Sequence, residues 1–221
     1  MKKLLLGAAA ILALVGQATA GDVRYANGIE VGTVTVGGVS ENYHGVFLKA
    51  EGHQDMGLSF LAMVESGQIG DGPIGTAAYE GADLLLAYRV PGFGVGPAVG
   101  WQYLGLAGLS EERIRVGVLG RHALPQGVTL GYSVLSDVDN FGKEFSARLT
   151  GEMPVTPDFL ATASLERAQE GGSHANILAV GGRFSVVSNM EVTGELFHGR
   201  GRDAGTRIET TGLRAGVNFR F

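Results

Sequence analysis

The sequence predicts an all-β chain: an antiparallel up-and-down transmembrane β-barrel of about twelve strands, with ten or eight as alternatives. Three observations lead there. After residue 20, apolar residues are abundant but form no long run; most alternate with polar ones, as on strands with one face toward an apolar phase. Residues 1–20 read as an export signal. The chain ends "LRAGVNFRF", where Leu213, Ala215, Val217, Phe219 and Phe221 alternate with Arg214, Gly216, Asn218 and Arg220. A soluble protein usually ends in a frayed polar tail instead.

The amino terminus comes first. Lys2 and Lys3 form a positive region, an apolar stretch runs from Leu4 to about Val15, and Ala18-Thr19-Ala20 is a small-residue cleavage site. This is the pattern of a secretory signal peptide, and the apolar stretch is too short for a membrane span. Residues 1–20 are therefore expected to be removed, leaving 21–221 as one barrel domain exported through the Sec pathway. Loss of Lys2 and Lys3 moves the formal net charge from −5 to −7. An acidic chain argues against a nucleic-acid partner, which favours a basic face. The absence of cysteine excludes a disulfide scaffold, a thiol catalyst and a thiolate metal site.

Period-2 segments bounded by turn residues fall at about 27–39, 43–53, 57–66, 80–90, 93–104, 112–122, 128–135, 144–153, 159–167, 175–186, 190–198 and 207–221. After the short Ser40-Glu41-Asn42 connection, short links such as Pro91-Gly92 and "LPQG" (124–127) alternate with longer ones such as 66–79 and "GRGRDAGT" (199–206). Short turns on one rim and longer polar loops on the other describe an outer-membrane barrel. An even strand number places both termini on the periplasmic side.

Each segment divides into two faces. Leu84, Leu86, Tyr88 and Val90 oppose Asp83 and Arg89; Ile114, Val116 and Val118 oppose Arg113, Arg115 and Arg121. Phe145, Ala147, Leu149 and Met153 oppose Glu144, Arg148 and Glu152; Met190, Val192 and Leu196 oppose Glu191, Thr193 and Glu195. A lipid-facing Arg or Lys near the midplane costs roughly 2–4 kcal/mol, so the charged face must look inward. Backbone in hydrocarbon must also have every ladder bond made, which forces closure. Aromatics fall on two belts, Trp101, Tyr103 and Phe145 toward the outer rim and Tyr88, Phe159, Phe184, Phe219 and Phe221 toward the periplasmic rim.

The terminal pattern of Leu213, Ala215, Val217, Phe219 and Phe221 resembles the carboxyl-terminal signature of bacterial outer-membrane β-barrel proteins. That resemblance implies recognition by the barrel-assembly machinery and an outer membrane of the Gram-negative type, with outer-membrane lipid and lipopolysaccharide as surroundings. Size, glycine-rich strands and "ENYHG" (41–45) at the start of the second strand also resemble small, porin-like outer-membrane proteins of the YfaZ type.

Chemistry is sparse. His44, His53, His122 and His198 lie near strand ends and His174 in a loop, none within a nucleophile motif. An outer-rim protease would need Asp137, Asp139, Asp203 and His198 to converge. "DVDNFG" (137–142) starts like a calcium loop, but Phe141 and Arg148 stand where oxygen ligands belong. No catalytic residue, metal or cofactor is expected. The remaining constellation is the lumen: Arg113, Arg115, Arg121 and Arg148 set against Glu191 and Glu195, a basic sixth strand and an acidic eleventh. Fixed charges of both signs suit an eyelet that orients polar solutes; they also suit a closed interior of satisfied ion pairs. Twelve strands lie between a filled eight-stranded interior and a sixteen-stranded channel, with 66–79 as the candidate plug. The expectation is a monomeric, narrow, porin-like channel for passive diffusion of small hydrophilic solutes. A closed structural or interaction barrel without transport is the alternative, and an outer-membrane hydrolase the third reading.

Overall fold

In a computed structural model, which describes residues 21–54, 57–70, 76–90 and 94–220, twelve antiparallel strands close into one barrel. They are β1 (Gly21–Val36), β2 (Val39–Gln54), β3 (Leu58–Ile69), β4 (Ala77–Tyr88), β5 (Val95–Leu106), β6 (Leu109–Ala123), β7 (Thr129–Asp137), β8 (Phe145–Thr156), β9 (Phe159–Glu170), β10 (Ser173–Val187), β11 (Met190–Asp203) and β12 (Thr206–Arg220). Each strand pairs with its neighbours in sequence, and β1 pairs with β12 from Arg24↔Arg220 to Val36↔Ile208. Among the described residues every strand has a hydrogen-bonded neighbour on each side, which removes the row of unpaired N–H and C=O groups that hydrocarbon would penalise. The segment 1–20 and Phe221 lie outside the described residues.

Alternation sets the two faces. Ile29, Val46, Ile114, Leu149, Leu165, Leu178, Val180, Leu196 and Leu213 point outward and are more than half or nearly half exposed. In a soluble protein such a surface would be an aggregation hazard; against acyl chains it is the correct solvent. The buried outward cluster of Val23, Ala50, Phe60 and Ala62 is local cover on β1–β3, where the Phe60 ring occupies the space above Gly52. The aromatic levels follow the predicted faces. Trp101 stacks on Tyr103 with ring centroids 6.5 Å apart, at the rim opposite the termini. Phe219 pairs with Tyr25 and Met190 at the terminal rim, and Phe159 pairs with Phe184.

The connections differ from expectation. Their lengths do not alternate, because strands on the far rim continue beyond the predicted ends into tight turns. The first turn is Gly37-Gly38, not Ser40-Glu41-Asn42, and β2 already starts at Val39. The supposed loop 199–206 is mostly ladder: β11 runs to Asp203 and turns at Ala204-Gly205. Likewise β5 and β6 meet across Ala107-Gly108. In all three turns both central residues have positive φ, from +47° to +92°, the mirror-image hairpin geometry that matches strand twist. The candidate plug shrinks to 70–76, since Ile69 still pairs with Ala77; residues 71–75 of it lie outside the described set. Pro154 is tolerated in β8 because it sits at a bulge, where one ladder bond is already missing.

Ala107 (φ +52°) and Ala204 (φ +47°) adopt a backbone that strains any residue with a Cβ. Ala107→Gly and Ala204→Gly are each expected to stabilise the barrel by about 0.5–1 kcal/mol, read as an increased urea midpoint of the refolded chain. Gly28→Leu is expected to block refolding: its Cβ would lie 2.1 Å from the Ala215 carbonyl oxygen and 2.7 Å from the Phe47 ring. Retained heat-modifiable migration in that variant would contradict the packing.

Candidate functional site: the charged inner wall

Ladder register decides which side chains share the lumen. Because Arg24↔Glu51, Glu30↔Gly45 and Glu30↔Arg214 are partners, the even residues of β1 and β12 and the odd residues of β2 face inward. Propagating the alternation around the barrel puts Arg113, Arg115 and Arg121 of β6, Arg148 of β8, and Glu191 and Glu195 of β11 on the inner wall. β6 and β11 lie on opposite sides of the ring.

The predicted basic and acidic walls are each locally neutralised. On the β6 side, Arg113 contacts Glu111 at 2.8 Å and reaches over two strands to Glu170 at 2.5 Å, with Glu144 at 3.9 Å. Arg115 donates to Asp83 of β4 at 2.7 Å and to Ser146 of β8 at 3.3 Å. Toward the terminal rim, Glu152 of β8 accepts from Arg121 at 2.9 Å and from Arg183 of β10 at 2.5 Å. Arg148 stands 3.9 Å from Glu166. On the β11 side, Glu191 pairs with Arg220 at 2.9 Å and Glu195 with Arg214 at 3.3 Å. Long guanidinium stems thus lie along the wall and tie strands that are two or three apart. A cavity of about 80 Å³ between Gln102, Arg113, Arg115, Glu144 and Glu166 marks the space left beneath them.

A second feature joins the wall to barrel closure. Arg214 of β12 donates to Glu30 of β1 through Nε at 2.9 Å, while its guanidinium carbon lies 5.6 Å from the Phe47 ring centroid and 5.5 Å from that of Phe197. Phe47 in turn covers Gly28 and Gly216, and Tyr43 and Phe197 cover Gly212. Only glycine leaves room for an inward ring to lie flat on the neighbouring strand. Sequence reasoning set Arg214 opposite the apolar face of the last strand but missed Tyr43, Phe47, Tyr79 and Phe197. The available signal was the glycines of β1 and β12, at 28, 32, 212 and 216, whose inward parity leaves two paired gaps in the wall.

The candidate catalytic groups do not assemble. His198 is on the outer face, 2.8 Å from the Thr211 hydroxyl, whereas Asp203 is on an inward position and accepts from Ser173 at 2.5 Å. His122 stacks on Tyr132 near the other rim. Asp137 spends Oδ1 on the amides of Asp139 and Asn140, an acidic turn. Among the described residues no group of three or more acidic or histidine side chains is placed to hold a metal.

These features define a class, the outer-membrane type of β-barrel: closed, antiparallel, apolar outside and charged inside. No protein-family model matches the sequence, and no curated protein matches it. Solved structures of that class do share the fold. An outer membrane channel from Pseudomonas putida F1 aligns over 91% of this chain and 96% of its own, with a TM-score of 0.60 and 12% identity. The KdgM porin aligns over 88% and 99%, with a TM-score of 0.51 and 10% identity. The β domain of the Bordetella autotransporter BrkA aligns over 91% and 100%, with a TM-score of 0.50 and 13% identity.

Arg214→Ala is expected to destabilise the barrel by about 2–3 kcal/mol, because it leaves Glu30 and Glu195 without their cation on a partly water-accessible wall. Arg214→Lys should recover less than half of the loss, since an ammonium cannot lie flat between two rings and donate to two carboxylates. Urea midpoints of the three proteins check this.

Proposed function

We propose that the mature chain is a monomeric outer-membrane channel with a narrow, charged lumen that passes small hydrophilic solutes by diffusion. One observation carries the reading: inward-facing charged side chains remain open to water. Arg148 is 46% exposed, Arg220 40%, Glu166 34% and Lys49 33%. A barrel filled by its own core would bury such groups or replace them with interdigitating apolar side chains. The channel and the porin among the structural neighbours agree with this reading.

The ion-pair ties across β4, β6, β8 and β9 support the narrowness. They also favour a second reading, a closed structural barrel whose wall charges satisfy one another. Conductance of the refolded chain in a planar bilayer separates the two. Discrete steps are expected for the channel; silence from protein shown to be folded and inserted would overturn it.

Selectivity would follow the wall. Acidic groups outnumber basic ones on the inward positions, so a preference for cations is expected. Glu191→Gln with Glu195→Gln removes two acids, releases Arg220 from Glu191 and leaves Arg214 with Glu30 alone. Reversal potentials in a salt gradient should shift toward anions; unchanged potentials would remove both residues from the conduction path.

A further inference from the structure

The outer surface carries a charge pattern that the lumen does not explain. On β9–β12 a stepped row of leucines ends the apolar band: Leu165 pairs with Leu178, which faces His198, and Leu196 pairs with Leu213 one outward position nearer the termini. Further toward the far rim the outward positions are polar. One row reads Arg167, Asn176, Arg200 and Glu209 across the four strands, and the next reads Gln169, His174, Arg202 and Arg207. Four arginines and two histidines, His174 and His198, therefore stand on the outer face of four adjacent strands. The four strands span a width of about 14 Å.

Glu209 is the acid in this grid, and it is shared by Arg200 at 3.0 Å and Arg207 at 2.5 Å. Among the described residues no carboxylate lies within ion-pair distance of Arg167 or Arg202. Arg200 and Arg207 remain 65% and 64% exposed, so their remaining donors are free to meet an anion. The opposite side of the same rim has the other sign: the outward positions of β3–β6 there carry no Arg or Lys and bring Glu80 and Glu112. A positive patch on an acidic chain, confined to four of the twelve strands and following directly on the last outward leucines, is a specific placement. General solubility would spread charge around the rim.

We infer that the outward face of β9–β12 at the far rim binds a phosphorylated glycolipid of the outer leaflet, such as lipid A. The occupant must present phosphate at the headgroup level and acyl chains immediately below it. The arginine rows supply planar, multiply donating cations that suit phosphate oxygens. The leucine row beneath supplies the acyl contact. A free phosphate would use the arginines without the leucines, and a protein partner would not need both at this depth. The inference rests on the barrel being embedded in an outer membrane, but not on an open lumen.

The test titrates the refolded chain, Gly21–Phe221, in neutral detergent with bis-phosphorylated lipid A and counts bound lipid by native mass spectrometry. The wild type is expected to hold lipid A. The triple variant Arg200→Gln, Arg202→Gln, Arg207→Gln should bind about tenfold more weakly, while Glu80→Gln with Glu112→Gln should bind as wild type. Dephosphorylated lipid A should bind more weakly to the wild type, and inorganic phosphate should not displace the lipid. Heat-modifiable migration and bilayer conductance, unchanged in the triple variant, show that the fold and the lumen are intact; the milder Arg202→Gln, Arg207→Gln pair serves if the triple variant fails to fold. Equal lipid binding by wild type and variant, displacement by inorganic phosphate, or arginine-dependent pairing of two chains without lipid would each overturn the inference. Loss of conductance with lipid binding retained would count against the channel reading alone.

Discussion

Everything in this protein depends on the β1–β12 seam. In hydrocarbon an unpaired backbone group costs several kcal/mol, so an open twelve-stranded sheet would carry two intolerable edges. The seam makes the first strand the partner of the last, in register from Arg24↔Arg220 to Val36↔Ile208. These are the contacts most distant in sequence, and therefore the ones whose loop-closure entropy is recovered last. It is consistent that side-chain reinforcement concentrates there. Arg214 ties β12 to β1 through Glu30 and to β11 through Glu195, and Phe47 lies over Gly28 and Gly216 across the seam itself.

Closure imposes the two-faced chemistry. Once the ring is shut, the outward positions meet acyl chains and the inward positions meet water, so apolar side chains can be exposed without penalty on one face and charges without penalty on the other. The usual picture of a packed core does not apply. Buried large side chains are few, and rigidity comes from the ladder and from arginines laid along the wall. Those arginines do two things at once. They neutralise acids two or three strands away, and they narrow the lumen.

The far rim adds a third environment. There the strands outlast the apolar band, and the hairpins extend into tight turns with positive φ at both central residues. That extension turns what would be mobile loop into rigid ladder. Side chains such as Arg200, Arg202 and Arg207 are held in rows at a defined height above the leucines, which is a different electrostatic object from the same residues on a flexible loop.

Much of this was legible in the residues. Alternation alone placed twelve strands, and the inward assignment of Arg113, Arg115, Arg121, Arg148, Glu191 and Glu195 agrees with the ladder register, because a one-residue slip would move charges into lipid and is forbidden by cost. The outward Leu213, Ala215, Val217 and Phe219 follow from the same rule. Turn positions were read less well: Gly37-Gly38 and Ala204-Gly205 were passed over in favour of longer polar stretches, since polar residues in a ladder above the membrane look like loop. Partner choice was not legible at all. Glu195 meeting Arg214, Arg113 meeting Glu170, and Tyr43 and Phe47 covering glycines on another strand depend on register and on barrel curvature, which bring together residues that no spacing along the chain relates. By itself the sequence determined that the chain closes into a barrel and which face each residue takes, because those follow from period two and the cost of polar groups in hydrocarbon. Only the tertiary structure decided which charges cancel and which stay available, because that is set by distances across the closed ring.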